Sequence, residues 1–151
     1  MDKVAIASDH GGYDLKNEII CFLKNSGYPL KDFGCYEKKS VHYPDYANKV
    51  AEAIITGEYQ SGILICGTGI GMSIAANKIK GIRATLCHDV FSARMAKEHN
   101  NANILTMGGR VLGAGWAVEI VKTWLNSKFT EESRHITRLE KIEDIYLKHK
   151  S

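Results

Sequence analysis

The chain of 151 residues is 44% hydrophobic and 25% charged, which are ordinary proportions for a globular protein. This length predicts a single domain, 1–151, that is large enough to bury a hydrophobic core. The net charge of +3 is too small, and the basic residues are too scattered, to indicate a nucleic-acid partner. No apolar run approaches the roughly 20 residues that span a bilayer, and the N-terminus lacks the pattern of a signal peptide, so we expect no membrane partner.

The cysteines indicate the cellular compartment rather than a metal site. Cys21, Cys35, Cys66 and Cys87 contain no C-x-x-C spacing, which argues against a zinc site or a redox pair. Free thiols in an enzyme-like chain are typical of the reducing cytosol. We therefore expect a cytoplasmic protein without a bound metal.

Strand-like and helix-like stretches alternate along the whole chain. The pattern predicts strands at 4–8, 29–33, a stretch ending at Cys66, 82–87 and 104–107. Helices are predicted between and after them, carrying Leu15 to Leu23, carrying Ala47 to Ile54, at 72–80, at 91–98, carrying Ala117 to Leu125 and at about 131–148. A polar loop is predicted at 37–42. Such alternation predicts a Rossmann-like, three-layer α/β/α sandwich. We expect about five parallel strands and an extra C-terminal helix.

The stretch from Ile63 to Gly71 is the most informative part of the chain. A buried strand, Ile63-Leu64-Ile65, ends in Cys66 and is followed by Gly67-Thr68-Gly69-Ile70-Gly71. Glycines at alternate positions let the backbone approach a ligand closely. The amides that follow lie at the start of a helix, where free N–H groups and the helix dipole favour an anion. The sequence therefore predicts a thiol beside an anion-binding loop.

Polar groups follow two further predicted strands at their carboxyl ends. Asp9-His10 comes after the first strand, and Gly108-Gly109-Arg110 comes after the fifth. Ligands of open α/β sheets bind beyond the carboxyl ends of the strands. These groups and the Cys66 loop can therefore form a single site, although Arg110 is equally suited to a solvated position.

Each of the other candidates also has a purely structural explanation. A buried cysteine such as Cys66 is usually a small hydrophobic residue. His10 can cap a helix, and the dipole of a helix C-terminus by itself favours a cationic His99. Arg134 and Arg138 lie one helical turn apart, on a face that is either solvated or suited to a phosphate.

A dinucleotide-binding module is the competing interpretation of the glycine-rich loop. Gly67-Thr68-Gly69-Ile70-Gly71 resembles the start of a G-x-G-x-x-G motif, and Asp89 follows Gly69 at a suitable distance. The third glycine of that motif is Met72 here, and no Gly-Lys-Ser/Thr of a Walker loop is present. The dinucleotide interpretation is therefore the weaker one.

Several motifs together resemble those of the ribose-5-phosphate isomerase type B family, which includes the subunits of galactose-6-phosphate isomerase. They occur in the same order over nearly the whole chain, and they are Ser8-Asp9-His10-Gly11-Gly12, Tyr43-Pro44-Asp45-Tyr46-Ala47, Gly62 to Gly71, Ser73-Ile74-Ala75-Ala76-Asn77-Lys78 and His99-Asn100. The resemblance implies an aldose–ketose isomerase of the non-oxidative pentose phosphate pathway that uses neither a cofactor nor a metal. It also implies a homodimer, or in some members a tetramer, whose active sites combine residues from two subunits.

The resemblance assigns roles residue by residue. Cys66 matches the catalytic base, and Thr68 lies close to the reacting carbons. His99 matches the residue that opens the sugar ring. The other matching positions bind the substrate or its phosphate, and they are Asp9, His10, Gly67, Gly69, Ile70, Gly71, Asn100, Arg110, Arg134 and Arg138.

The sequence leaves the length of the sugar open. We expect ribose 5-phosphate to be the main substrate, with allose 6-phosphate as a weaker one. A galactose-6-phosphate isomerase subunit fits less well, because this chain carries all the site residues by itself. A non-catalytic phosphosugar sensor is a further alternative, but it would have no need for Cys66 at the loop.

Overall fold

The computed structural model describes residues 1–149, which form five strands and six helices. The strands are β1 (Val4–Ser8), β2 (Leu30–Asp32), β3 (Ser61–Cys66), β4 (Ala84–Leu86) and β5 (Ile104–Gly108). The helices are α1 (Tyr13–Asn25), α2 (Tyr43–Ile55), α3 (Ile70–Ala76), α4 (Val90–Glu98), α5 (Ala114–Asn126) and α6 (Ser133–Lys148). The predicted order of elements is confirmed.

The strands form one parallel sheet in the order β2-β1-β3-β5-β4. β1, β3 and β5 are buried along their whole length, as expected for strands that are covered on both faces. Because the strands are parallel, all their carboxyl ends lie at one edge of the sheet, here called the carboxyl edge. The opposite edge, where the strands begin, is the amino edge.

Two hydrophobic clusters cover the two faces of the sheet, which confirms the three-layer sandwich. α1, α4 and α5 pack on one face around the fully buried Trp124, and α2 and α3 pack on the other face around Val50 and Met72. The helical spacing of Leu15, Ile19 and Leu23 predicted the buried face of α1. In each layer an apolar helix stripe covers one face of the sheet.

The last helix differs from the other five because its apolar side is not covered within the described chain. His135 is its only buried residue. Ile136, Ile142 and Ile145 are exposed, and Ile145 keeps 60% of its accessible surface. α6 thus presents a hydrophobic stripe that this chain alone leaves open to solvent.

The fourth strand and the helix before it are both shorter than the sequence pattern predicted. α3 ends at Ala76 rather than near 80, because the side-chain amide of Asn77 pairs with the main chain of Ala84 in both directions at 2.8 Å. β4 then begins only at Ala84, since the N–H of Arg83 is bonded to the side chain of Asn103 at 2.8 Å. Side-chain hydrogen bonds to the backbone therefore set these boundaries.

Candidate active site

The structure brings three of the predicted polar groups together at the carboxyl edge. The main-chain N–H of Asp9 donates to the carbonyl of Ile65 at 3.1 Å, which joins the ends of β1 and β3. The N–H of Gly109 donates to the carbonyl of Cys66 at 2.8 Å, and that of Arg110 donates to Gly67 at 3.0 Å. Main-chain hydrogen bonds thus hold three neighbouring loops in one cluster.

Cys66 lies at the centre of this cluster and is only 5% exposed. Its Sγ accepts a hydrogen bond from the main-chain N–H of Gly69 at 3.1 Å. The loop can bend back over the thiol because Gly69 has a φ of +80°, in the left-handed region. A Cβ at this position would lie 2.7 Å from the carbonyl carbon of Met107, so only glycine fits. The sulfur thus lies within hydrogen-bond distance of a main-chain donor in the glycine-rich loop.

The remainder of the glycine-rich loop lies between two large side chains. A Cβ at Gly67 would contact the Arg110 guanidinium at 3.4 Å, and one at Gly71 would meet the Tyr43 ring at 2.6 Å. Thr68 is exposed, and its hydroxyl accepts the N–H of Ile70 at 3.3 Å. Tyr43 was not among the predicted site residues, although it begins one of the motifs that carry the family resemblance.

The turn after β1 is shaped by its own carboxylate. Asp9 is 7% exposed, and its Oδ1 accepts the N–H groups of Gly11 and Gly12 at 2.8 and 3.1 Å. His10 is half-buried, and its Nδ1 accepts the main-chain N–H of Val41 at 3.3 Å. Asp9, His10, residues 66–71 and Arg110 are together called the thiol half below.

His99 and Asn100 do not join the thiol half within one chain. α4 runs antiparallel to the strands, so His99, which follows its last residue, lies at the amino edge. Consistently, the N–H of Gly62 at the start of β3 donates to Asn103 at 2.8 Å. β5 then spans the sheet, and its five residues separate the two edges by about 13 Å. His99 is therefore too far from the Cys66 thiol to share a substrate with it in the same chain.

The start of α6 lies beside His99. The N–H of Thr130 donates to the carbonyl of Glu98 at 3.1 Å, and the His135 ring stacks on the His99 ring with centroids 4.3 Å apart and planes at 16°. Arg134 is exposed and donates from Nε to Glu132 Oε2 at 2.7 Å. His99, Asn100, Arg134, His135 and Arg138 are together called the histidine half below.

His135 is a member of this half that was not among the predicted site residues. It is 3% exposed, and its Nε2 has no hydrogen-bond partner among the described residues. Burial lowers the pKa of this imidazole, and the neighbouring charge of His99 lowers it further. The sequence signal was its position between two candidate arginines, but only the fold shows that it is buried.

Neither half resembles a metal centre. Residues 1–149 contain no group of three or more His, Cys, Asp or Glu side chains placed to hold a metal ion. A cavity of about 700 Å³, an open polar groove between α4 and α5, contains none of the predicted site residues. In the same range, no helix has the length and apolar character needed to cross a membrane.

Known sugar phosphate isomerases are similar to this chain over nearly its whole length. The model of a family described as Ribose/Galactose Isomerase matches residues 4–142. The chain is 57% identical over 143 residues to the putative sugar phosphate isomerase YwlF of Bacillus subtilis (strain 168), covering 94% of this chain and 95% of that protein. It is 45% identical over 142 residues to ribose-5-phosphate isomerase B of Escherichia coli (strain K12), again covering 94% and 95%. A solved structure of Clostridium thermocellum ribose-5-phosphate isomerase B matches with a TM-score of 0.96 at 54% identity, covering 98% of this chain and 99% of that one.

Proposed function

This chain belongs to the ribose/galactose isomerase family, and we propose that it interconverts ribose 5-phosphate and ribulose 5-phosphate as an aldose–ketose isomerase. The observation that carries the proposal is the hydrogen bond from the Gly69 amide to the Cys66 thiol, at the carboxyl edge of a fold that matches ribose-5-phosphate isomerase B. The whole chain, 1–151, would act as one domain in the non-oxidative pentose phosphate pathway.

Cys66 is the proposed base. Moving the carbonyl from C1 to C2 requires removal of the C2 proton of the open-chain aldose, return of a proton to C1, and net transfer of the O2 hydroxyl proton to O1. The thiolate form of Cys66, whose sulfur accepts the N–H of Gly69 at 3.1 Å, can take the C2 proton. The electron pair left by that proton forms the C1–C2 double bond of a cis-enediolate, and the carbonyl electrons move to O1.

The loop after Cys66 is the proposed stabiliser of that enediolate. The negative charge that develops on O1 lies near Thr68 and the amides of residues 67–71 other than those of Gly69 and Ile70, which already donate to Cys66 Sγ and Thr68 Oγ1. Preorganised N–H donors stabilise such a charge without reorienting during the reaction. The loop is held in place by the bonds from Gly109 and Arg110 to Cys66 and Gly67.

The histidine half supplies the groups that the thiol half lacks. His99 would open the furanose ring by exchanging a proton with the ring oxygen or the anomeric oxygen. Arg134 and Arg138 would hold the phosphate through charge-assisted hydrogen bonds, which positions the reacting carbons against Cys66. Asn100 lies beside His99 and would contact the sugar.

Because the two halves lie at opposite edges of one sheet, we propose that a complete site forms only between two copies of the chain. In such a homodimer the thiol half of one copy faces the histidine half of the other, and two-fold symmetry builds two identical sites. The exposed stripe of Ile136, Ile142 and Ile145 on α6 supports this arrangement, since a second copy would cover it.

A cytoplasmic location completes the proposal. The four cysteines are free thiols in the structure, including the exposed Cys21, and a reducing compartment keeps them so.

Isotope exchange tests the reaction. The protein is incubated with ribose 5-phosphate in heavy water without added nucleotide. We expect ribulose 5-phosphate that carries solvent deuterium at C1. Absence of turnover would support a phosphosugar sensor, and dependence on a nicotinamide cofactor would support the dinucleotide interpretation. A higher kcat/KM for allose 6-phosphate would shift the substrate to a hexose phosphate.

Subunit complementation tests the shared site. Cys66→Ala is mixed with the double variant Arg134→Ala/Arg138→Ala under conditions that exchange subunits. Each mixed dimer has one intact site, so random exchange should restore about a quarter of the wild-type activity. The control replaces Cys66 in both partners and should restore none. Mixed dimers that form but remain inactive would place each site within one chain.

A further inference from the structure

Lys16 is a fully buried cation that the proposed mechanism does not use. Its Nζ donates to both carboxylate oxygens of Asp32 at 2.8 Å and to the carbonyl of Cys35. Removing one partner of such a pair leaves a buried charge without compensation, which is strongly destabilising. Lys16 therefore ties α1 firmly to the chain that follows β2.

The tied chain is the segment between β2 and α2, residues 33–42, here called the β2–α2 segment. Asp32 Oδ1 also accepts the N–H of Gly34 at 2.8 Å. The N–H of Ser8 donates to Gly34 at 2.7 Å, and the N–H of Cys35 donates back to Ser8 at 2.7 Å. The start of this segment is thus bonded to the last residue of β1, immediately before Asp9 and His10.

The far end of the same segment reaches His10. The main-chain N–H of Val41 donates to His10 Nδ1 at 3.3 Å. A neutral imidazole carries its hydrogen on one ring nitrogen and a lone pair on the other, so the nitrogen that accepts a hydrogen bond is not the one that is protonated. The hydrogen of neutral His10 is accordingly on Nε2.

We infer that the β2–α2 segment, anchored by Lys16 and acting through the Val41 main chain, selects the Nε2–H tautomer of His10 and so makes it a hydrogen-bond donor to an oxygen of the phosphosugar. The ligand in this inference rests on the proposed function, whereas the tautomer does not. Val41 is a positioning residue, because it acts through His10. A donor at Nε2 cannot also take up a proton there, so proton abstraction remains with Cys66.

Nitrogen NMR of the unliganded protein tests the tautomer directly. The six histidines are labelled in the ring, and the His10 signals are assigned by their absence in His10→Gln. At a pH where imidazoles are neutral, we expect an unprotonated Nδ1 and a protonated Nε2 in the wild type and in Val41→Ala. Val41→Pro lacks the N–H and should show a mixture of tautomers. A protonated Nδ1 in the wild type, or an unchanged ratio in Val41→Pro, would overturn the inference.

Steady-state kinetics test the consequence for substrate binding. Val41→Pro should raise KM for ribose 5-phosphate by up to about tenfold, the value of one hydrogen bond, with a smaller change in kcat. Val41→Ala retains the N–H, and Lys39→Pro stiffens the same segment two residues earlier, so both should stay within about twofold of wild type. Equal KM values for Val41→Pro and Val41→Ala would contradict the positioning role.

Two further pairs of variants separate the donor from the anchor. In His10→Gln an amide reaches the place of Nε2, whereas in His10→Asn it reaches only the place of Nδ1, so the Gln variant should bind substrate better than the Asn variant.

Asp32→Ala removes the partner of Lys16 and should shift the tautomer ratio of His10. Asp14→Ala breaks only the exposed ion pair with Lys38 and should leave that ratio unchanged. A wild-type protein without isomerase activity would reject the proposed function, and the NMR result would still decide the tautomer.

Discussion

The two halves of the proposed site are built by different means. The thiol half consists of loops at the ends of adjacent strands, held by main-chain hydrogen bonds such as those from Gly109 and Arg110. The histidine half consists of side chains at the end of α4 and the start of α6, held by the stacked rings of His99 and His135. The sheet makes the first half rigid, whereas the second depends on how helices pack and on a second copy of the chain.

This difference predicts how each half responds to substitution. In the thiol half the main-chain conformation determines how the groups are arranged, so substitutions of its glycines or of Cys66 should have the largest effects. In the histidine half the side chains of His99, Arg134 and Arg138 are the proposed functional groups, so truncating them should change binding or rate while the fold remains intact. The following experiments test this contrast, beginning with the largest expected effect.

Cys66→Ala should remove nearly all turnover, because no other group in the thiol half is placed as the base. We expect kcat to fall by about 10²–10⁴-fold, the usual contribution of a general base. The arginines proposed to bind the phosphate, Arg134 and Arg138, lie in the histidine half, so affinity for the substrate, measured by calorimetry, should remain. Substantial turnover in this variant would require a different base.

Gly69→Ala should damage the thiol half through the backbone. The new Cβ would lie 2.7 Å from the Met107 carbonyl carbon at a φ of +80°. The loop must move away from Cys66, so we expect kcat to fall by at least about tenfold, together with a loss of about 1–3 kcal/mol in the free energy of unfolding. Kinetics and urea unfolding measure the two effects.

Gly57→Ala is the matched control for that substitution. Gly57 also has a positive φ, of +78°, but no atom within 4 Å would meet a new Cβ. The free energy of unfolding of Gly57→Ala should fall only by the cost of placing alanine in the left-handed conformation, about 1–2 kcal/mol, and kcat should be unchanged. Equal activity loss in both variants would mean that the contact with Met107 is not what matters.

Arg134→Ala and Arg138→Ala should each weaken phosphosugar binding without unfolding the protein. Loss of a charge-assisted hydrogen bond of roughly 1.5–3 kcal/mol would raise KM by about 10- to 150-fold. Inhibition by free phosphate should weaken in parallel. Lys141→Ala removes an exposed charge from the same helix and serves as the control, with an unchanged KM expected. If KM is also unchanged in both arginine variants, this face of α6 is only solvated surface.

His99→Ala should affect the two reaction directions differently. Ribulose 5-phosphate cannot close a furanose ring, because its 5-oxygen carries the phosphate, so Cys66 should still process it. In the aldose direction the variant must wait for ring opening in solution. The rate of the variant should therefore reach a plateau as enzyme concentration increases. The wild-type rate should keep rising in proportion to enzyme concentration. Wild-type kinetics in both directions would remove His99 from the mechanism.

His135→Phe should change the pH dependence of stability, which is the smallest expected effect. The pKa of His135 is lowered from its ordinary value of 6.5, mainly by burial and then by the charge of His99. Below about pH 6.5 the unfolded chain therefore binds the proton more readily than the folded one, and the free energy of unfolding falls as pH decreases. Arg134 and Arg138 act in the same direction, and Glu132 opposes them.

Phenylalanine retains the stack on His99 but cannot bind a proton, so the variant should lose less stability between about pH 7.5 and about pH 5.5 than the wild type. Urea unfolding at the two pH values measures this difference. His149→Phe removes an exposed histidine and should behave like the wild type. An identical pH dependence in wild type and His135→Phe would show that His135 is free to be protonated in the folded state.

The sequence by itself determined the elements and the thiol half. Apolar periodicity is a property of neighbouring residues, so it predicted the strands, the helices and the buried side of helices such as the one carrying Leu15, Ile19 and Leu23. Parallel strands align their carboxyl ends, which is why the sequence alone predicts that Asp9, Cys66 and Arg110 lie together.

Only the tertiary structure decided the remainder. The resemblance implied sites shared between two subunits but left open which subunit supplies each residue. Because α4 runs antiparallel to the strands, His99 and Cys66 of one chain lie at opposite edges of the sheet. The stack of His99 on His135, the Tyr43 ring against Gly71 and the bond from Val41 to His10 join residues that are distant in the chain. Such contacts depend on how complete elements pack against one another, and a local pattern of residues carries no information about that packing.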